Sequence, residues 1–170
     1  MREIQLTQGY KAQVDDEDYE RVNQYLWQAD VARRKDGTIW NVYAIRQVKL
    51  ESGKRTTQKM HRFIMSAFDP KVGVDHNPDI SGLNNQKNNL RLATQQQNVA
   101  SQALGIKNTS GYKGVYWYDP LQKWAAHIKV NYKLKHLGYF TDIKEAAQAY
   151  DAAAFKLFGK FAKPNFNQQI

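Results

Sequence analysis

The chain has 170 residues, enough for one ordinary domain or two small ones. Its 25 Lys plus Arg outnumber 16 Asp plus Glu, giving a net charge of +9, and the pI is near 9.6. Such a surface attracts phosphate backbones and points to a polyanionic partner. The absence of cysteine excludes disulfides, thiol nucleophiles and a structural Cys-ligated zinc, so any metal must sit on oxygen or nitrogen ligands. Nothing at the N-terminus reads as a signal peptide, and no run approaches the roughly 20 apolar residues of a membrane span. A soluble protein of the cytoplasm, with no membrane partner, is the expectation.

In chain order, Ile4, Leu6 and Val14 alternate with polar residues. Asp15 to Asp18 then supply N-cap and first-turn carboxylates for a short helix through Tyr19, Val22, Tyr25 and Leu26, ending near Trp27. From Val31 to Thr57 the pattern suits strands, broken by an Asp36-Gly37 turn and a second turn at Ser52-Gly53-Lys54. Met60, Phe63, Ile64, Ala67 and Phe68 recur at helical spacing before Asp69-Pro70 ends the run. A strand carrying Val72 and Val74, an Asn-rich loop, a second strand at Leu90–Ala93 and a helix capped by Thr94 follow.

Between Ser101 and Ser110 the apolar pattern lapses, which places a linker at 103–108 between domains 1–102 and 109–170. Residues 101–170 contain ten Lys and no Arg against four acids. Three strand-like runs, YKGVYWY, KWAAHIKV and KLKHLGYF, predict a three-stranded antiparallel sheet. Asp142 and Glu145 open a helix whose stripe of Ile143, Ala146, Ala147, Tyr150, Ala154, Leu157 and Phe158 ends at Gly159. That stripe covers one sheet face, with Trp124 and Phe140 as packing partners. The fold class expected is α+β.

The densest polar cluster, VDHNPDISGLNNQKNNLRLATQQQNVASQ, spans residues 74–102. Asp75 and His76 fall at a strand end, and Asn98 falls in the first turns of the following helix. Asp75 and Asn98 offer hard oxygen ligands suited to a magnesium-like ion, and the His76 imidazole is a base for water. Taken singly, an Asp-His strand end and Asn-rich turns are ordinary loop chemistry. Read together, MHR, VDH, LNNQKNNLRLAT and QNVASQ resemble the HNH, or ββα-metal, endonucleases, especially phage-type homing nucleases, over about residues 1–102. The resemblance implies an N-terminal ββα-metal nuclease domain with Asp75 and Asn98 as metal ligands, His76 as general base, Asn89 bracing the loop, and Mg²⁺, Mn²⁺ or another divalent ion as cofactor. The loop from His76 to Asn89 is one residue longer than the family pattern. His61 falls on a partly apolar helix and reads more readily as structural than as a phosphate contact.

The second half is similar to the plant apetala-two, or ethylene-response-factor, DNA-binding domain across about residues 109–166, through YKGVYW, KWAAHIKV, HLGYF, EAAQAYDAAAFKLFG and NF. The resemblance implies a sheet in the major groove of double-stranded DNA, with Lys113, Tyr116, Lys129 and His136 at exposed positions and Trp117, Lys133 and Lys135 beside them. Arg forks read guanine well, and this half holds only Lys, which suits phosphate positioning better than base reading. The function implied is a metal-dependent DNA endonuclease tethered by its C-terminal domain. The alternative is a DNA-binding regulator on an HNH-like scaffold that does not cut, and RNA is a third candidate partner. Neither monomer nor homodimer is indicated.

Overall fold

The computed structural model describes residues 1–102, 104–105 and 108–166. Of the expected linker, residues 103, 106 and 107 lie outside the described residues. The chain divides into two compact units, Met1–Thr94 and Gln95–Ile170. The architecture is mixed α and β, built from small antiparallel sheets and four α-helices among the described residues. No helix among them is long and apolar enough to cross a membrane.

The first unit opens with the antiparallel hairpin of β1 (Arg2–Gln5) and β2 (Lys11–Val14), followed by α1 (Asp16–Asn23). A three-stranded sheet comes next, with β4 (Ile39–Lys49) between β3 (Gln28–Arg33) and β5 (Arg55–Lys59). A short helix α2 (Met60–Ile64) leads to the hairpin of β6 (Val72–His76) and β7 (Leu90–Thr94). Ile4, Val14, Val22, Trp27, Val42, Ala44, Met60 and Leu90 meet in one core. Fully burying a side chain such as Val22 or Met60 contributes about 1.5–3 kcal/mol.

Two helices stop short of the apolar pattern that announced them. α1 ends at Asn23, where the Val22 carbonyl accepts from the Tyr25 amide at 3.2 Å and the buried Trp27 indole N–H at 2.9 Å in place of the Leu26 amide of a longer helix. α2 ends at Ile64 because Ser66 turns left-handed (φ 50°). The Ala67 amide then bonds the Arg62 carbonyl at 2.9 Å and the Ser66 amide bonds Phe63 at 3.2 Å, a Schellman closure. Asp15 stands at the N-cap position of α1 but does not cap it. Its carboxylate accepts instead from Gln86 Nε2 at 3.1 Å and the Lys87 amide at 2.8 Å, fastening the Asn-rich loop to the helix start.

The second unit begins with α3 (Gln95–Ser101), a helix the sequence assigned to the first domain. The meander β8 (Val115–Tyr118), β9 (Lys123–Val130), β10 (Lys133–Phe140) then runs into α4 (Ile143–Phe158). Asn131 and Tyr132, both at positive φ (48° and 63°), make the two-residue β9–β10 turn. Asp142 caps α4, its carboxylate accepting from the amides of Lys144 at 2.6 Å and Glu145 at 3.2 Å. Val115, Ala126, Ala146 and Ala147 form the buried centre between sheet and helix, with Trp124 and Phe140 packed against it as expected. The small alanines let α4 lie close to the strands, and at Gly114 (φ +76°) a Cβ would collide with the Tyr150 ring.

One carboxylate ties Asn165 and Phe166, and through them Lys113, to α4. Asp151 on α4, 5% exposed, accepts from the Asn165 amide at 2.8 Å, Asn165 Nδ2 at 3.0 Å and the Phe166 amide at 3.0 Å. Asn165 in turn accepts from the Lys113 amide at 2.6 Å and donates to the Lys113 carbonyl at 3.2 Å. Replacing Asp151 by Ala leaves these partly buried donors without their acceptor, and a cost of about 1–3 kcal/mol is expected. Chemical denaturation followed by Trp fluorescence measures it, and a midpoint equal to the parent's would refute the tie.

Candidate active site and nucleic-acid face

Asp75 and His76 end β6, opposite Arg91 and Leu90 of β7. Asp75 Oδ2 accepts from Arg91 Nη2 at 2.7 Å and Nε at 3.0 Å, a charge-assisted fork in which both side chains are mostly covered. The loop beyond His76 is held by Asn89, 3% exposed. Its amide nitrogen donates to the Asp79 carbonyl at 2.9 Å and the Asn84 carbonyl at 3.1 Å, and its oxygen accepts from the Asp79 amide at 2.9 Å. The Asn77 amide also bonds the Asn89 carbonyl at 2.8 Å, so the loop's two ends close on one residue. Amides of Ser81 and Asn84 hold the Asp79 carboxyl below the usual range.

His76 is 9% exposed, and its Nε2 lies 3.2 Å from Asn85 Oδ1. The direction of that bond is set by the other end of the amide. Asn85 Nδ2 donates to the Leu83 carbonyl at 3.2 Å and the Gly82 carbonyl at 3.4 Å, so the atom facing His76 is the oxygen, which can only accept. Nε2 therefore carries the proton, and the neutral ring presents its lone pair at Nδ1. Asn85 is itself 1% exposed and fastened by its own amide to the Gln13 carbonyl of β2 at 2.8 Å.

His61 of α2, 6% exposed, meets His76 edge to face with ring centroids 4.8 Å apart. Tyr43 of β4 closes the cluster, 6.0 Å from His61 and 6.2 Å from His76, and Lys59 Nζ lies 4.6 Å from the Tyr43 ring centre. Gly82 lets Tyr43 lie against the loop, since a Cβ there would collide with its ring. Burial pushes His61 down to about 3, helped by the neighbouring His76 ring and the Lys59 and Arg62 charges, and burial likewise lowers His76. Asn98 lies on α3, in the second unit.

Register sorts the candidate DNA contacts by face. Tyr116 and Tyr139 pair with Ala125, and His136 pairs with His127; with Lys129 they occupy the sheet face turned away from α4. Rings pave that face: Tyr118–Tyr139 at 5.2 Å, His136–Tyr139 at 4.4 Å and Tyr116–His127 at 5.0 Å. Trp117, Lys133 and Lys135 pair with Trp124, Val130 and Ile128, and so belong to the opposite face. Trp117 packs edge to face on Trp124 at 5.1 Å and donates to Asp119 at 3.0 Å. Lys113 has a different employment. Its ammonium donates to the Ala100 carbonyl at 2.6 Å and the Gln102 carbonyl at 2.7 Å at the end of α3, and burial lowers its pKa to about 8.

Asn85, Tyr43 and Lys59 escaped the sequence reading. Four asparagines crowd the run from Asn84 to Asn89. Asn85 and Asn89 turn inward, and the parallel bridge between Gln13 and Asn84 is part of what fixes the direction at Asn85.

Comparison with known proteins bears on both halves. Residues 110–160 match the AP2 domain family. A protein of Acanthamoeba polyphaga mimivirus, named as an uncharacterized HNH endonuclease, is 34% identical over 114 residues, covering 63% of this chain and 57% of that protein. An ethylene-responsive transcription factor-like protein of Arabidopsis thaliana is 30% identical over 119 residues, 69% of this chain and 46% of its own length. APETALA2-like protein 2 of Oryza sativa is 42% identical over 59 residues, 35% of this chain and 14% of that protein. The chain thus spans about half the length of the first two relatives. No solved structure matches. The viral likeness covers more of the chain than the AP2 match does, and together they support an architecture that joins an HNH segment to an AP2 domain, the latter suggesting DNA binding.

The His61 shift has a stability consequence. Between pH 6.5 and about 3 the unfolded chain holds a proton on this ring that the folded chain does not, so stability falls as pH drops through that window and levels off above 6.5. One such group contributes a slope of up to about 1.4 kcal/mol per pH unit. Urea denaturation at pH 7 and pH 5 is expected to show a smaller loss in His61→Phe than in the parent, and equal losses would refute the buried neutral imidazole.

Proposed function

We propose that the chain is a divalent-metal-dependent HNH-type endonuclease acting on double-stranded DNA, held to its substrate by the AP2 sheet. The observation that carries this reading is the His76 ring, neutral and held at Nε2 by Asn85 so that Nδ1 is left as the basic nitrogen, next in sequence to Asp75. The donor chemistry fits a hard cation. The Asp75 carboxylate, gripped at Oδ2 by Arg91, is a hard oxygen ligand, and Asn98, expected from the sequence as the second ligand, carries an amide oxygen. A bound Mg²⁺ or Mn²⁺ would supply charge stabilisation at the scissile phosphate.

Within the chain, His76 Nδ1 accepts the proton of the attacking water. The Asn85 oxygen keeps the other proton on Nε2 and steadies the imidazolium that results. Arg91 orients Asp75, and Asn89 keeps the loop closed over both. Tyr116, Lys129 and His136 lie on the face that meets DNA, with Lys133 and Lys135 contacting phosphates from the sheet edge and Trp117 positioned through Trp124. Lys113 serves by fastening α3. The names of the plant relatives favour a second reading, a DNA-binding regulator that does not cut.

Supercoiled plasmid separates the two. The parent with Mg²⁺ is expected to relax or linearise it and to stop when a chelator is added. His76→Ala loses about 10²- to 10⁴-fold in rate while binding DNA as before, and Asn85→Ala loses about 10- to 100-fold. Asn98→Ala needs more Mg²⁺ for the same rate. A parent that binds but never nicks, with Mg²⁺ or Mn²⁺, would leave the regulator.

A further inference from the structure

Two clusters of basic residues in the first unit differ in how they are paired; Arg33, Arg34, Lys35, Arg46, Arg62 and Lys71, outside both, are in no ion pair among the described residues. Around β1, β2 and α1 the cations are neutralised: Arg2 pairs with Glu20 at 3.0 Å, Lys11 with Glu3 at 2.8 Å, Arg21 with Asp18 at 2.6 Å and Lys87 with Glu17 at 2.6 Å. On the β4–β5 hairpin, Lys49, Lys54, Arg55 and Lys59 form no ion pair among the described residues.

Register places most of that unneutralised charge on one face. Lys49 pairs with Arg55, Gln47 with Thr57, and Ile45 with Lys59, so these six stand on the same side of the sheet as Tyr43. The opposite side of β4 carries Val42 and Ala44, 7% and 1% exposed, and is the core side. The first face is thus turned away from the core, and it ends where Tyr43 and Lys59 meet His61 and His76. From Arg55 to Lys59 the strand advances about 13 Å, a length over which a duplex presents several phosphates. Between the two cations lie only the Gln47 amide and Thr57 hydroxyl, joined at 3.2 Å. The carboxylates nearest by register are Asp30, which pairs with Tyr43 beyond the histidines, and Glu51 in the hairpin turn.

We propose that this outer face of β4–β5 is a track for the phosphate backbone of DNA, independent of the AP2 sheet, along which Lys49 and Arg55 hold the strand whose scissile phosphate lies at His76. The inference rests on the nuclease reading for where the track leads, and on charge complementarity for what fills it.

The test uses the full chain and a short duplex, with fluorescence anisotropy read in chelator across a salt series. Removing two phosphate contacts in Lys49→Gln/Arg55→Gln is expected to reduce the slope of log affinity against log salt by about 0.9 per contact. At moderate salt the double variant should bind about tenfold more weakly, and Arg55→Lys should keep most of the slope. Lys71→Gln/Lys144→Gln removes the same charge from other surfaces and sets the baseline. If the two double variants give the same slope, there is no track, whether or not the parent cuts. If the slope falls only in Lys49→Gln/Arg55→Gln while the parent never nicks plasmid with metal, the phosphate track stands and the nuclease reading fails.

Discussion

A buried asparagine amide can face either way, and at Asn85 the choice is made by the Gly82 and Leu83 carbonyls that its nitrogen serves. Everything proposed for the site depends on that choice. With the oxygen toward His76, the ring is a neutral base with its lone pair on Nδ1. With the nitrogen there, Nε2 would have to accept, and the proton would sit on Nδ1 where water is to be deprotonated. The orientation is in turn held from afar, because the Asn85 amide bonds β2 through Gln13, and Asp15 at the start of α1 grips the loop at Gln86 and Lys87. The small hairpin and helix at the N-terminus are therefore part of how His76 is aimed.

The charge of the molecule is organised with the same economy. A net charge of +9 says only that polyanions are attracted. In the first unit, acids on α1 and β1 cancel the cations beside them and leave the β4–β5 hairpin uncancelled. In the second unit, register divides the lysines between the two faces of the sheet, and the Lys113 ammonium is spent on the backbone of α3. Residue counts could not distinguish these cases, because pairing and facing are tertiary properties.

Local signals were legible where local physics decides. The bounds of β9, β10 and α4 follow from alternation, an Asp cap and a terminal glycine, and they stand as the sequence announced them. The ends of α1 and α2 did not, since one comes where a buried indole takes a helix carbonyl and the other at a left-handed serine. Asp75, His76 and Asn89 were legible as a motif, and the structure shows what holds each of them. Asn85 was hidden because a side chain's direction inside an Asn-rich loop is fixed in part by a bridge to residue 13, far away in sequence.

The claim that His76 is a neutral base open at Nδ1 can be read without turnover or metal. Long-range ¹⁵N–¹H spectra of the imidazoles in uniformly labelled protein near pH 7 report which nitrogen carries each ring proton, and His76→Ala identifies the His76 signals by their loss. The account predicts a neutral His76 ring protonated on Nε2 alone. A proton resident on Nδ1, or a charged ring at that pH, would contradict it.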